Sequence, residues 1–465
     1  MRNKLKHDLE LRFTKLINVL LITLPFVGCW LWYYKEQTVG LHENLQNWLI
    51  IGLFVFLYVI FARIYDAFLV SLYRISEMAY SQGLAILLSD VIIYIVICLL
   101  TSGFTNPLPG ILALITQLAL AILWSTIAHK WYYSVFPPKK SAVVYDRRKE
   151  IGRLINEYGL SKKFDVQLVI SANECVDNLS LLNSMDTIFI CGVQSHHRNT
   201  ILKHCIDKDV VTYLLPRIGD IIMSGAKKMH MFHLPMLRVE RRTMHPEYVL
   251  MKRLFDIVVS ATVLILTSPI TIATAIAIKA HDGGPVLYKQ DRLTKDGKVF
   301  KVLKFRSMRT DAEKDGVARL STGDSDDRIT PVGRFIRKVR IDELPQLINV
   351  LSGSMSIVGP RPERPEIAKQ YEEELPEFRL RLQCKAGLTG YAQVYGKYNI
   401  TPYDKLQMDL MYISNPSMIE DLRILLATIK IIFIPESTDG IAEGQTTASD
   451  TQAPKEEKEL VGAGK

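Results

Sequence analysis

Uncharged runs set the organisation of the first third of the chain. Residues 16–34, 44–62 and 108–128 contain no charged side chain, and 84–100 contains only Asp90. Each approaches the ~20 residues that an α-helix needs to cross a bilayer core of ~30 Å, so four transmembrane helices are predicted over 1–130. The basic residues between them set the orientation. Arg2, Lys4, Lys6, Arg12 and Lys15 precede the first run, Lys35 alone lies in 35–43, Arg63 and Arg74 lie in 63–82, and 101–107 has none. Lys130, Lys139, Lys140, Arg147, Arg148 and Lys149 follow the fourth run. Both ends of the four-span region therefore belong on the cytoplasmic side. Arg63 and Asp66, three apart, are positioned to pair on one helix face.

The pattern then changes to short β-branched runs alternating with polar helical stretches. Residues 142–145, 166–170, 187–191 and 210–215 read as strands, with helices over 150–158 and 198–206. This predicts a small α/β domain over 141–238 with a parallel, Rossmann-like sheet. A nucleotide-binding version would carry a glycine-rich turn after its first strand. Here the turn is Asp146-Arg147-Arg148-Lys149-Glu150, whose bulky side chains deny a pyrophosphate the backbone amides. The domain is accordingly a degenerate one, with a structural or regulatory role.

Residues 257–278 form another uncharged run, but with Lys252-Arg253 before it, Lys279 and His281 after it, and Ser268-Pro269 at its midpoint. Proline removes a helical donor and clashes with the preceding turn. A straight fifth span would export the basic chain beyond it, whereas a re-entrant helix over 254–280, broken at Ser268 and Pro269, keeps both flanks on one face. Beyond it the pattern is that of a polar α+β domain, the whole unit covering 248–435. It has strands at 286–290 and 299–306 around Lys295-Asp296-Gly297, a Gly/Asp/Ser-rich loop over 306–330, and helices over 329–351, 371–382 and 404–413. A last apolar helix, 421–434, suits the membrane interface. The tail, 436–465, lacks periodicity and reads as disordered.

Composition agrees with a membrane protein: of 465 residues, 48% are hydrophobic, and mean hydropathy is +0.12. The net charge of +9 would suit nucleic acid or an anionic surface. No interleaved aromatics or nucleic-acid reading motif accompany it, and a membrane segment lies immediately upstream, so nucleic acid is excluded as the partner. The six cysteines have no CxxC pairing or His-spaced ligand set, which fits reduced thiols.

The candidate chemistry lies in 334–364. Arg334, Arg337, Lys338 and Arg340 precede the adjacent carboxylates Asp342 and Glu343, and Arg361 follows between two prolines. Two local readings compete. Asp342 ahead of Pro345 suits a helix N-cap, with Glu343 favoured at the positive helix end. Alternatively, a carboxylate among cations suits attack on a phosphate. The surroundings favour the second. On a helix that buries Phe335, Ile336 and Val339, Arg337 and Arg340 fall near one face beside the dyad. Lys301, Lys304, Arg306 and Arg309 supply a second cationic row. The stiff backbone around Arg361 can hold its guanidinium for bidentate phosphate binding.

Lys252-Arg253-Leu-Phe-Asp256, Ser268-Pro269, Gly284-Pro285-Val286, Lys304-Phe-Arg306-Ser-Met308, Arg337 through Gln346, Gly359-Pro360-Arg361-Pro362 and Gly387-Leu-Thr-Gly390 occur in one order. This series resembles the bacterial sugar transferase family, the monotopic phosphoglycosyl transferases. The layout with four spans and a degenerate nucleotide-fold domain is similar to its large polyprenyl glycosylphosphotransferase branch. The resemblance implies transfer of a sugar-1-phosphate, glucose-1-phosphate or galactose-1-phosphate, from a UDP-sugar to undecaprenyl phosphate, releasing UMP with Mg2+ as cofactor. It implies Asp342 as nucleophile and metal ligand, with Glu343 assisting at the metal or lipid phosphate. It further implies Arg337 and Arg361 as phosphate holders, Lys304 and Arg306 as donor-site contacts, and Ser268-Pro269 as the helix break. Ala386, where many relatives have proline, departs from the pattern. The implied location is the bacterial cytoplasmic membrane with the catalytic domain in the cytoplasm, starting exopolysaccharide or capsule units. The four spans and the α/β domain also offer surfaces for a homodimer. The competing readings are a catalytically inactive scaffold of polysaccharide assembly and a four-span channel resting on Arg63, Asp66 and Asp90.

Overall fold

The computed structural model describes residues 2–37, 43–101, 103–146, 155, 159–241, 244–309, 328–396 and 401–432. It divides at Pro216/Arg217 into two compact units.

The first unit opens with α1 (Arg2–Cys29), which runs on through a wider turn at Trp30–Tyr34, then α2 (Glu43–Ile64), α3 (Ile75–Leu100) and α4 (Leu108–Val135). All four are long and apolar enough to cross a membrane. Their outward residues, such as Leu24, Phe56, Leu99 and Leu112, are exposed apolar side chains, as lipid contact requires. Inside, buried polar groups pair with one another. Tyr58 donates to Asn18 Oδ1 at 2.6 Å, and Asn18 donates to Gln82 Oε1 at 3.2 Å. Asp66 lies beyond α2 with φ 56°, so it and Arg63 do not share a helix face as the spacing suggested.

A four-stranded parallel sheet follows in the order β2-β1-β3-β4. Its strands are β1 (Lys139–Tyr145), β2 (Phe164–Ser171), β3 (Thr187–Cys191) and β4 (Val211–Leu215), with helices α5 (Ala172–Asp177) and α6 (Ser195–Asp207). The four strands and α6 lie where the pattern placed them. β1 is interior to the sheet, and Ala142, Val143 and Val144 are fully buried, as a parallel strand covered on both faces must be. The expected helix over 150–158 lies outside the described residues apart from Ile155.

The second unit begins earlier than the sequence suggested. Ile221 of α7 (Ile218–Ser224) is part of one hydrophobic core with Val302, Val350 and Leu410, so this helix belongs to the C-terminal unit. The antiparallel hairpin β5 (Lys227–Met231) and β6 (Leu234–Arg238) comes next. The α/β domain therefore ends near 216 and not at 238, because apolar contact, not chain order, draws the boundary.

Helix α8 (Pro246–Asp282) is one helix of 37 residues with Pro269 inside it, where an interruption was expected. Pro269 cannot donate to the carbonyl of Ile265. Ser268 Oγ donates to that oxygen instead, at 2.7 Å, which keeps the group satisfied. Both flanks of the apolar middle are fastened within the second unit. Near the start, Arg253 donates to the carbonyls of Val350 and Leu351, each at 2.7 Å. Buried Asp256 accepts from the amide of Ile357 at 3.0 Å. Near the end, Ile278 packs with Phe305 and Ile336. Between them Ile265, Leu266 and Ile272 are exposed.

The rest comprises the hairpin β7 (Leu287–Leu293) and β8 (Val299–Phe305), α9 (Pro331–Lys338), α10 (Gln346–Ser352), β9 (Ser356–Val358), α11 (Pro365–Glu374), β10 (Gly387–Thr389), α12 (Tyr391–Tyr395), α13 (Pro402–Ser414) and α14 (Met418–Ile432). The tail, 436–465, lies outside the described residues. β9 pairs in parallel with β10, and the chain leaving β9 crosses the chain around β10 at backbone distance. A Cβ on Gly387 would fall 2.1 Å from the amide nitrogen of Gly359, and one on Gly390 would fall 2.1 Å from the Gly359 carbonyl. Gly387→Ala should therefore destabilise the unit by about 3 kcal/mol. Gly219→Ala in α7, where a Cβ meets nothing within 4 Å, should be neutral within about 1 kcal/mol. Thermal unfolding of the purified variants checks the contrast, and equal losses would contradict it.

Candidate active site

The turn that carries the two carboxylates is made by an interrupted helix. Thr330 Oγ accepts from the amide of Gly333 at 2.9 Å, and Pro331 takes the first helical position, so α9 starts with a standard cap. It stops at Lys338 because Arg340 adopts a left-handed conformation, φ 59°, rare for a side chain of this size. A single tight turn, Ile341–Glu343, follows, and α10 begins at Gln346 after Pro345. The continuous helix expected over 329–351 is thus two helices with the dyad between them. The capping reading of Asp342 also falls: Pro345 is the cap residue of α10, and no side chain caps it.

The two adjacent carboxylates have opposite surroundings. Glu343 Oε1 is 3.1 Å from Lys304 Nζ and 3.1 Å from Arg361 Nη2, so β8, the dyad turn and the chain after β9 meet on one oxygen. Burial by itself would raise the Glu343 pKa, but the charges of Lys304 and Arg361 overrule it and hold the group ionised far below the usual carboxylate range. Asp342 accepts no hydrogen bond from a described residue. Burial, then the neighbouring Glu343 charge, push its pKa up to about 6 against the pull of Lys304, Arg337 and Arg340. One carboxylate is locked as a structural anion. The other is unbonded, desolvated and faced by cations.

Of the residues singled out in the sequence, Lys304, Arg337, Arg340 and Arg361 gather at the dyad. Arg306 does not. It is buried and ion-paired with Asp282 at the end of α8, pressed against Gly284, where a Cβ would fall 2.0 Å from Nη1. Lys301 pairs with Asp291 at 3.0 Å on the exposed side of the hairpin. Phe335 and Val339, expected in the core of α9, are exposed, and only Ile336 of that trio is buried. Ser268 and Pro269 lie in the middle of α8.

The sequence reading missed a buried ion network behind Arg361. Arg381 contacts Asp409 at 2.7 Å and Glu363 at 3.4 Å, and Glu363 also pairs with Lys405. Glu363 stands two residues after Arg361, and that proximity was the available signal. Among the described residues no three His, Cys, Asp or Glu side chains cluster as a ready-made metal site. A Mg2+ ion is commonly held by one or two carboxylates plus substrate phosphates, and the unbonded Asp342 carboxylate fits that donor set.

A model of the family "Bacterial sugar transferase" matches residues 247–435. The chain is 36% identical over 234 residues to a UDP-N-acetylgalactosamine-undecaprenyl-phosphate N-acetylgalactosaminephosphotransferase of Aeromonas hydrophila, covering 50% of this chain and 54% of that protein. It is 39% identical over 212 residues to the UDP-glucose:undecaprenyl-phosphate glucose-1-phosphate transferase of Escherichia coli K12, covering 44% of each. It thus spans about half the length of these two relatives. An exopolysaccharide production protein, PSS, of Rhizobium leguminosarum is 42% identical over 188 residues, 38% of this chain and 93% of the relative. With the ordered motifs, the dyad turn and a relative matched over almost its whole length, the chain belongs to the bacterial sugar transferase family.

Proposed function

We propose that the chain transfers a sugar-1-phosphate from a UDP-sugar to undecaprenyl phosphate and so starts a polysaccharide unit on its lipid carrier. The observation that carries this is the contrast within the dyad, where Glu343 is fixed as an anion while Asp342, among cations, accepts no hydrogen bond from a described residue. An Asp342 oxygen attacks the sugar-bearing phosphorus. The bond from that phosphorus to the bridging oxygen breaks, and UMP leaves with the electron pair. An oxygen of the lipid phosphate then attacks the same phosphorus, and the Asp342 carboxylate departs. Arg337, Arg340 and Arg361 offset the repulsion between carboxylate and phosphates, and Lys304 keeps Glu343 in register. Mg2+ held by Asp342 and the diphosphate would supply further neutralisation of phosphate charge.

Several features support a site at the cytoplasmic membrane surface. Both flanks of the apolar middle of α8 are fastened to one domain, which suits a helix that enters and leaves by the same face. Phe335 on α9, Val339 just after it, and Ile419 and Leu422 on α14 are exposed apolar side chains suited to the interface. Lipid phosphate is found there, and UDP-sugar reaches it from the cytosol.

Asp342→Asn should lower UMP release from UDP-sugar plus undecaprenyl phosphate by at least ~10³-fold and abolish a labelled sugar-phosphate adduct on the protein, leaving the unfolding temperature unchanged. Near-normal turnover would remove Asp342 as nucleophile, and wild-type inactivity across UDP-sugars would favour the scaffold reading. The nucleophile must be ionised, and Asp342 loses its charge as pH falls through about 6. Hence kcat/KM should be flat above that pH and fall about tenfold per unit below it, with a flat profile down to pH 5 counting against the assignment. Orientation has its own check. Glu240→Cys and Lys298→Cys, on opposite sides of α8 in the chain, should both react with an impermeant maleimide from the same face of sealed vesicles. Labelling from opposite faces would make α8 a crossing helix.

A further inference from the structure

Arg361 reaches Glu343 from a segment with two prolines, Gly359-Pro360-Arg361-Pro362, which cannot hold itself by a regular ladder because Pro360 and Pro362 have no N–H. Four successive carbonyls of this segment are nevertheless each gripped from outside. The Pro360 oxygen accepts from the Gly387 amide at 2.9 Å, and the Glu363 oxygen from the Leu293 amide at 2.9 Å. The two between are held by side chains. The Arg361 oxygen accepts from Arg381 Nη2 at 2.8 Å, and the Pro362 oxygen from Arg292 Nη1 at 3.0 Å.

Arg381 is 3% exposed. Its Nε donates to Asp409 Oδ2 at 2.9 Å and its Nη1 to Glu363 Oε1 at 3.4 Å, which fixes the guanidinium plane while Nη2 points at Arg361. Burying a charge costs several kcal/mol unless it is well paired, and an apolar residue would fill the same volume without that cost. Two carboxylates meet the cost here, and the fork geometry leaves one edge for a backbone oxygen. Lysine has the charge but no rigid fork, so it cannot span Asp409, Glu363 and the Arg361 carbonyl at once. The cluster of Arg292, Arg381 and Lys405 against Glu363 and Asp409 also keeps one positive charge in excess behind the segment that faces the phosphate site.

We propose that Arg381 is a positioning residue for Arg361: it fixes the backbone carbonyl of Arg361 so that the guanidinium stands ready for the diphosphate of the donor. This rests on the transferase reading of the site. Arg381 touches no reacting atom and acts only through Arg361.

The test is a double-mutant cycle on the full-length protein in lipid nanodiscs, using Arg381→Lys, Arg361→Met and the double variant. UMP release and equilibrium binding of UDP are measured, with the unfolding temperature followed in parallel. Arg381→Lys should raise the KM for UDP-sugar and the Kd for UDP about tenfold with a smaller change in kcat. In the Arg361→Met background it should cost almost nothing further in either quantity, while its effect on unfolding temperature persists. A purely structural role would make the losses multiply in both backgrounds, and that overturns the proposal while leaving the transferase reading intact. If the wild type releases no UMP but binds UDP, with the same non-additive losses, the transferase reading falls and the positioning role stands. A wild type that neither turns over nor binds UDP overturns both.

Discussion

The Glu343 carboxylate between Lys304 and Arg361 is the contact on which the site depends. A buried anion left unpaired costs roughly 3–5 kcal/mol, so the strand β8, the dyad turn and the segment after β9 can reach a stable arrangement only together. The sequence distances bridged are 39 residues to Lys304 and 18 to Arg361. Once that clamp is closed, the state of Asp342 is determined too. It has a fixed negative neighbour, little water and no hydrogen-bond donor among the described residues, and these raise its pKa. The cations around it offset only part of that rise. On the proposed reading, a carboxylate in this condition gains from the approach of a polarised phosphorus, as a nucleophile must.

A residue's role could be read from the sequence only where its partner lies nearby in the chain or in a recurrent motif. The four strands of the α/β domain arise from period and lie within three residues of their expected positions, and the four long helices contain the uncharged runs, although α1 and α3 begin well before them. Lys304, Arg337 and Arg361 could be placed because the motifs occur in family order. Arg306 stands two residues from Lys304 and looked equivalent, but its partner is Asp282. Where α8 ends decides that pairing, and composition does not. The break at Arg340 has no sequence signal, since the usual sign of a left-handed residue is glycine or asparagine. Asp256, although within a recurrent motif, and Arg381 and Asp409 give no sign in the sequence of what they bind. In a sequence such residues read as solvated, and only the fold shows that each is buried against a backbone amide, a carbonyl or another charge. The boundary at 216 and not 238 has the same origin, because Ile221 is assigned by what it touches.

The ion network behind Arg361 and the clamp on Glu343 are two layers of one solution. A phosphate site must hold several cations close together without a ligand to neutralise them. Glu343 supplies a local anion for Lys304 and Arg361, and Glu363 with Asp409 does the same for Arg292, Arg381 and Lys405. Each carboxylate thus lowers the repulsion within the site, while weakening its attraction for substrate. Asp342 is the exception, with no hydrogen bond from a described cation.

On the proposed function, helix α8 connects this chemistry to the bilayer. Arg253 near its start binds the last carbonyls of α10, the helix after the dyad, while Ile278 near its end packs on Ile336 of α9, the helix before it. The turn holding Asp342 and Glu343 is therefore fastened on both sides to one helix. On the proposed placement the apolar middle of that helix lies in lipid, so the bilayer bears on both supports of the dyad at once. A shift of α8 relative to the surface would displace α9 and α10 and strain the turn at Arg340, which is already in an unfavourable conformation. Membrane seating and catalytic geometry are then one constraint, which gives a physical reason for an otherwise soluble-looking domain to be built around a long apolar helix.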